Sequence, residues 1–309
     1  TLPFAGIARC SFIATKLIKS LNKMKLISDN EFENIFRSVN TISNQINTDY
    51  KKYLKGKISK KYFLDKYGHI RPSMYSIKSK NYSENFKNYF PKKIKNVIKK
   101  NKVRVYDIKS FKNKKIIDKL LKKNNLNFDS NYLIQFAKKS IYNREYSKYI
   151  FSKSLDKVFE NLKILAKEIN IERDDIEYLS IKNVIQYYHN LQIKKLKDVI
   201  INDIKEQKES EQITNLIKLP DFINHQKNVY FYKEQLIKGN FITTYKVSSE
   251  VANLKNILKK NDLFKKIVLI ESADPGFDYI FSYGISGLIT KYGGANSHMA
   301  IRCLELGIP

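Results

Sequence analysis

The chain has 309 residues, enough for about two domains of ordinary size. It is 42% hydrophobic, with 10 glycines and 6 prolines, which excludes collagen-like and low-complexity classes, and no apolar run is long enough for a membrane helix. Two distant cysteines, Cys10 and Cys303, exclude a disulfide scaffold and a four-thiolate zinc site, and they fit a reducing, cytoplasmic setting. The net charge is +28, yet only seven of the 58 basic residues are arginine. Nucleic-acid sites draw on arginine for bidentate contacts, so the lysine excess reads as solvated surface and no nucleic-acid partner is expected. A basic polyanion-binding module is the rival reading from another functional class.

The first two-thirds read as helical. Ser28-Asp29-Asn30-Glu31 is a capping box, and apolar residues from Phe32 to Tyr53 then follow helical spacing, predicting one helix over 28–55 that stops at Gly56. A short helix is predicted from Ser59 to Tyr67, closed by Gly68. Residues 92–125 are lysine-rich and read as a solvated helix pair or a mobile insertion. Helical spacing returns over Leu155–Ile169 and again over Ile181–Leu191.

The character changes near residue 220. Residues 240–251 are β-branched and aromatic, which predicts a strand. Lys266–Ile270 reads as a second strand, buried on both faces, and Ser286–Thr290 as a third. Asp274 and Asp278 bracket the Pro275-Gly276 break between them and read as turn residues. The predicted fold class is α + α/β. A mainly helical domain over 1–225 would be followed by an incomplete β/β/α domain over 226–309.

The last strand runs into Gly293-Gly294-Ala295-Asn296-Ser297-His298, and a helix of about nine residues follows, ending at Gly307. A helix N-terminus offers free amides and positive potential to an anion, and glycines let the backbone come close to it. Arg302 lies one turn on from His298, on the same face. A neutral imidazole can accept a phosphoryl group and pass it on. The arrangement suits a phosphohistidine; a helix-capping histidine is the plainer alternative.

The segment Gly293-Gly-Ala-Asn-Ser-His-Met-Ala-Ile-Arg-Cys-Leu-Glu-Leu-Gly-Ile-Pro309 resembles the phosphohistidine signature of the phosphoenolpyruvate-utilising enzymes. Members usually carry arginine six residues after the histidine, where this chain has Leu304; its arginine is Arg302. That variant, with Ser272-Ala-Asp-Pro-Gly-Phe-Asp278, is most similar to the bacterial L-glutamine kinases of capsule biosynthesis. Phe63–Ile77, Leu2-Pro-Phe-Ala5 with Arg9, and Arg144-Glu145 with Lys148 resemble the middle domain of that group.

The resemblance implies an ATP-dependent phosphotransferase in three parts. An ATP-grasp domain would phosphorylate the histidine using ATP and Mg²⁺, a swivelling domain would carry the phosphoryl group, and a helical domain over 1–225 would bind a small-molecule acceptor, glutamine first. AMP and phosphate would be released. On this reading the chain is part of a longer one, with the ATP-grasp domain as its partner and the swivelling domain cut short. His298 and Arg302 would be catalytic. Gly293, Gly294 and Ser297 would bind phosphate. His69, Arg71, Arg144 and Glu145 would bind substrate, although by residue type alone Arg144 and Glu145 could be a surface pair. No metal-ligand spacing occurs among the four histidines and two cysteines. A pyruvate-water dikinase is the alternative enzyme, but its phosphohistidine domain precedes a barrel, whereas here a long helical region comes first, an order similar to that of the rifampin phosphotransferases.

Overall fold

A computed structural model describes residues 2–90, 112–189, 195–217, 223–230, 239–254, 263–294 and 297–309. Two compact units divide the chain. One comprises residues 1–74, 79–156 and 241–309; the other comprises 75–78 and 157–240.

The larger unit opens with α1 (Leu2–Lys23), α2 (Asp29–Arg37), α3 (Ile42–Leu54) and α4 (Lys60–Tyr67). The Ser28 capping box forms: Glu31 N donates to Ser28 Oγ at 3.3 Å, and Ser28 N donates to Glu31 Oε2 at 2.7 Å. The single helix expected over 28–55 is instead two. Ser38 Oγ turns back to Ile35 O, Asn44 Nδ2 reaches Val39 O, and Thr41 caps a new helix. These short polar side chains compete for backbone groups and break the helix. The apolar pattern runs unbroken through Val39 and Ile42, so periodicity carries no sign of the break. Its effect is to place Ser43 and Asn44 in the first turn of α3. α4 forms as expected, with Ser59 at its N-cap and Gly68 at its C-cap.

α5 (Phe86–Tyr89), α6 (Lys114–Lys123) and α7 (Ser130–Glu168) follow. Much of the predicted 92–125 insertion lies outside the described residues. One core gathers α1, α2, α6 and the start of α7 around Ile18, Ile35, Ile117 and Leu133. A second is aromatic. Tyr50, Phe63, Tyr67, Tyr82, Phe86 and Phe90 pack with Val268, Tyr279, Ile280 and Phe281, so helical residues and the C-terminal segment share one interior.

That C-terminal segment holds a parallel sheet, β1 (Val251–Asn253), β2 (Ile267–Ser272) and β3 (Gly287–Tyr292), in the order β1-β2-β3, followed by α10 (His298–Leu306). Val251 pairs with Ile267, and Ile267 with Gly287. The strand expected over 240–251 shrinks to its end. Among the described residues, 239–250 lie outside the strands, although Glu250 O accepts from Ile267 N at 2.8 Å; Val247 packs beside Gly287 and Tyr245 beside Gly307. β-propensity without a neighbouring strand does not make a strand. β2 buries Val268 and Ile270 while Glu271 is exposed, so it alternates and is not buried on both faces.

The smaller unit contains the end of α7, α8 (Ile181–His189) and α9 (Leu196–Asn215). Buried Asp203 ties it together by accepting from Ser180 N at 2.7 Å and from Asn183 Nδ2 at 2.6 Å. Leu191, the last position of the predicted pattern there, lies outside the described residues. No described helix is long and apolar enough to cross a membrane.

Candidate functional site

The site begins where β3 ends. Gly293 has φ +151, and a Cβ there would stand 2.7 Å from the Ala273 methyl, so this turn requires glycine. Gly294 O accepts from Ser297 N at 2.8 Å, and Ser297 caps α10 by accepting from Ala300 N at 3.3 Å. Ala295 and Asn296 lie outside the described residues. His298 is the first residue of a nine-residue helix, whose length matches the expectation.

His298 is buried, and both ring nitrogens face carboxylates. Nδ1 lies 3.2 Å from Glu145 Oε2 on α7, and Nε2 lies 3.0 Å from Asp278 Oδ1 and 2.8 Å from Ser43 Oγ on α3. Arg302, one turn along and almost fully buried, donates from Nε to Asp278 Oδ1 at 3.2 Å and from Nη1 to Asn44 Oδ1 at 2.7 Å. Asp278 thus bridges the two cationic side chains of the motif helix. Its Oδ2 is buried with no hydrogen-bond partner among the described residues.

Burial works against a charged imidazole, but Asp278 and Glu145 outweigh it and lift His298 to about 9. Burial likewise pushes the Glu145 carboxyl up, and His298 with Arg144 more than reverses this, to about 2. Asp278, opposed by burial and favoured by Arg302 and His298, also lies below the usual carboxylate range. All three shifts favour an imidazolium between two carboxylates.

The raised and lowered values make stability depend on pH. A raised histidine contributes fully below its unfolded value near 6.5 and loses that contribution as pH rises through about 9. Lowered Glu145 contributes above about 4.5 and loses it as pH falls through about 2. A tenfold change in proton affinity corresponds to about 1.4 kcal/mol, so the unfolding free energy should fall by up to about 3 kcal/mol between about pH 6.5 and 9. Urea titrations across that range test this. An equal fall in His298→Asn would assign the effect to other groups.

A cavity of about 40 Å³ adjoins His298, room for a few waters; Ser43, Arg71, Glu145, Lys148, Tyr149 and Gly276 are among the residues lining it. Of the predicted substrate residues, Arg71 and Glu145 reach this cavity. Arg71 is buried and pairs with Asp156. Arg144 is not a surface residue: it is buried and donates twice to Glu145 Oε1, at 3.1 and 2.9 Å. His69 stands apart from the cavity lining, edge-on to Tyr149 at 5.0 Å, with Nε2 unpartnered; burial, then Lys153, lowers it to about 4. His189 and His225 are exposed.

Sequence reasoning does not reach Ser43, Asn44 or the site role of Asp278. Asp278, expected to be a turn residue, is fully enclosed in the site, while Asp274 keeps the turn role by accepting from Ser272 Oγ at 2.7 Å. One signal is present: Asp278 is the lone acid in the apolar run Phe277–Phe281. Among the described residues, no group of three or more His, Cys, Asp and Glu could hold a metal ion.

Residues 264–309 match the family model of the PEP-utilising enzyme, mobile domain, a domain of phosphotransfer enzymes. The match covers β2, β3, Asp278, His298 and Arg302. No curated protein matches the chain.

Proposed function

We propose that this protein is a phosphotransferase that carries a phosphoryl group on His298 and delivers it to a small acceptor. The observation that carries this reading is the placement of His298. It begins a helix after a glycine turn, inside the segment that matches the mobile domain, with Arg302 one turn along and a cavity beside it. The free amides of α10 and the Gly293-Gly294-Ser297 turn would hold the phosphoryl oxygens, and Arg302 would offset their charge.

The phosphoryl source in this reading is ATP with Mg²⁺, split to AMP and phosphate. No described acidic cluster suits Mg²⁺, so none of the steps assigned to these residues runs through it. The acceptor is the amide of L-glutamine. Lys148 lines the cavity and would meet the carboxylate of such an acceptor.

Mass spectrometry of the trapped intermediate tests the reading. We expect an acid-labile, base-stable phosphate on His298 and no turnover in His298→Ala. Arg302→Ala should lose roughly 10- to 150-fold, the equivalent of one charge-assisted hydrogen bond of about 1.5–3 kcal/mol. Phosphate on His69, His189 or His225, with His298→Ala still active, would end it.

A further inference from the structure

The two faces of the His298 ring differ. On the Nε2 side stand the Ser43 hydroxyl at 2.8 Å and the Asp278 carboxylate at 3.0 Å, with the Arg302 guanidinium behind Asp278. The hydroxyl and the guanidinium can meet phosphoryl oxygens once Asp278 gives up its contact with Nε2. On the Nδ1 side stands the Glu145 carboxylate, which can only accept a proton or a hydrogen bond. Asp278 on the Nε2 side is likewise only an acceptor, so it is the donors Ser43 and Arg302 that assign phosphorus to Nε2 and leave a proton on Nδ1.

Glu145 is built for one orientation. Its Oε1 takes two hydrogen bonds from Arg144, its side chain is buried, and only Oε2 is left to face the imidazole. We propose that Glu145 is a positioning residue that keeps a proton on Nδ1 while the phosphoryl group leaves Nε2; this rests on the phosphoryl-carrier reading above.

The chemistry balances as follows. The donor is the Nε2-phosphorylated imidazolium, protonated at Nδ1. The N–P bond breaks and its electron pair stays on Nε2, leaving a neutral Nδ1–H imidazole. The acceptor heteroatom forms the new bond to phosphorus, and its proton passes to solvent. Without the Nδ1 proton the leaving group would be an imidazolate, a far poorer one. Glu145 thus acts through the ring and does not touch the acceptor's reacting atom.

Other charges also face this ring. Asp278 comes from the segment between β2 and β3, Arg302 from α10 itself, Arg144 and Lys148 from α7 beside Glu145, and Arg71 lines the adjoining cavity. None of these is placed on Nδ1, which Glu145 contacts, so removing Glu145 should act on that nitrogen's proton more than on the rest of the field.

The test uses this chain charged with potassium phosphoramidate, a small-molecule phosphoryl donor, and follows loss of phosphate from His298 to water by ³¹P NMR as a function of pH. In Glu145→Gln, which keeps the side chain's size, the pH midpoint of the loss rate should fall by about one unit or more, and the rate on the alkaline side should drop about tenfold. Glu145→Asp, which keeps the charge, should recover much of the midpoint. Phosphate on His298 lost with the wild-type pH profile in Glu145→Gln would overturn the proposal and leave the carrier reading standing. A wild-type protein with no phosphate on His298 would overturn the carrier reading itself.

Discussion

A single methyl group added at residue 276 should lower the unfolding free energy by about 3 kcal/mol, the upper end of the usual cost of overpacking. Gly276 sits where the segment between β2 and β3 meets the chain after α4. A Cβ there would overlap the carbonyl of Arg71 and lie 2.5 Å from Pro72 Cα. Overpacking is usually relieved by a side chain changing rotamer. Here the obstacle is backbone, so one strand of chain must move. The same displacement would disturb the hydrogen bond from Tyr82 Oη to Gly276 O, 3.0 Å long, and the buried Arg71 pair with Asp156. Urea unfolding of Gly276→Ala measures the effect. A change within about 0.5 kcal/mol, the range of an ordinary surface substitution, would mean that the two segments part without cost.

Asp278→Ala should be at least as severe, at about 3–5 kcal/mol, because it strips the shared anion from two buried cations. His298 and Arg302 are 6% and 1% exposed, so water cannot stand in for the lost carboxylate without opening the site. Glu145 would still pair with Nδ1, and Arg302 would keep its amide partner Asn44 and its place over the Phe281 ring, but neither contact replaces the lost negative charge beside it. Asp278→Asn should lose less, since it retains an oxygen acceptor. Replacing Asp278 and Arg302 together by apolar residues of similar size should recover much of the stability, because no unpaired charge is then left behind. Denaturant titration of the four proteins decides this. A loss under about 1 kcal/mol in Asp278→Ala would show that the bridge contributes little.

The legible part of the site is the local part. The strand, glycine turn and helix around His298 are contiguous, and each step has its own residue signature: β-branched residues, then glycines, then Ser297 as a cap. Arg302 follows from helical spacing. The rest of the site is brought together by the fold. Ser43 and Glu145 lie 255 and 153 residues from His298 in sequence. Nothing near Ser43 signals that it shares the cavity, and Glu145 is reached only through the family resemblance of Arg144-Glu145 with Lys148. Ser43 owes its position to the break at Ser38–Thr41, where hydrogen bonding overrides an unbroken apolar period. A turn role for Asp278 fails because its burial is decided by tertiary packing, although an aspartate near Pro-Gly usually serves a turn. The expected strand over 240–251 survives only at its end for a related reason: the residue types suit a ladder, but among the described residues no strand pairs with 240–249.

The aromatic interior between residues 82–90 and 276–283 could have been built from phenylalanine alone. It includes phenols, and two of them cross in opposite directions. Tyr82 donates to Gly276 O at 3.0 Å, and Tyr283 donates back to Asn88 O at 2.8 Å. Rings packed only by shape tolerate a slip of an ångström or so, since apolar attraction has little direction. A hydrogen bond does not tolerate it, and a carbonyl stranded inside by such a slip carries the full desolvation penalty. The paired hydroxyls therefore work as two pegs driven from opposite sides, which permit one alignment of the segments and penalise the neighbouring ones. The distances around His298 inherit their accuracy from that alignment.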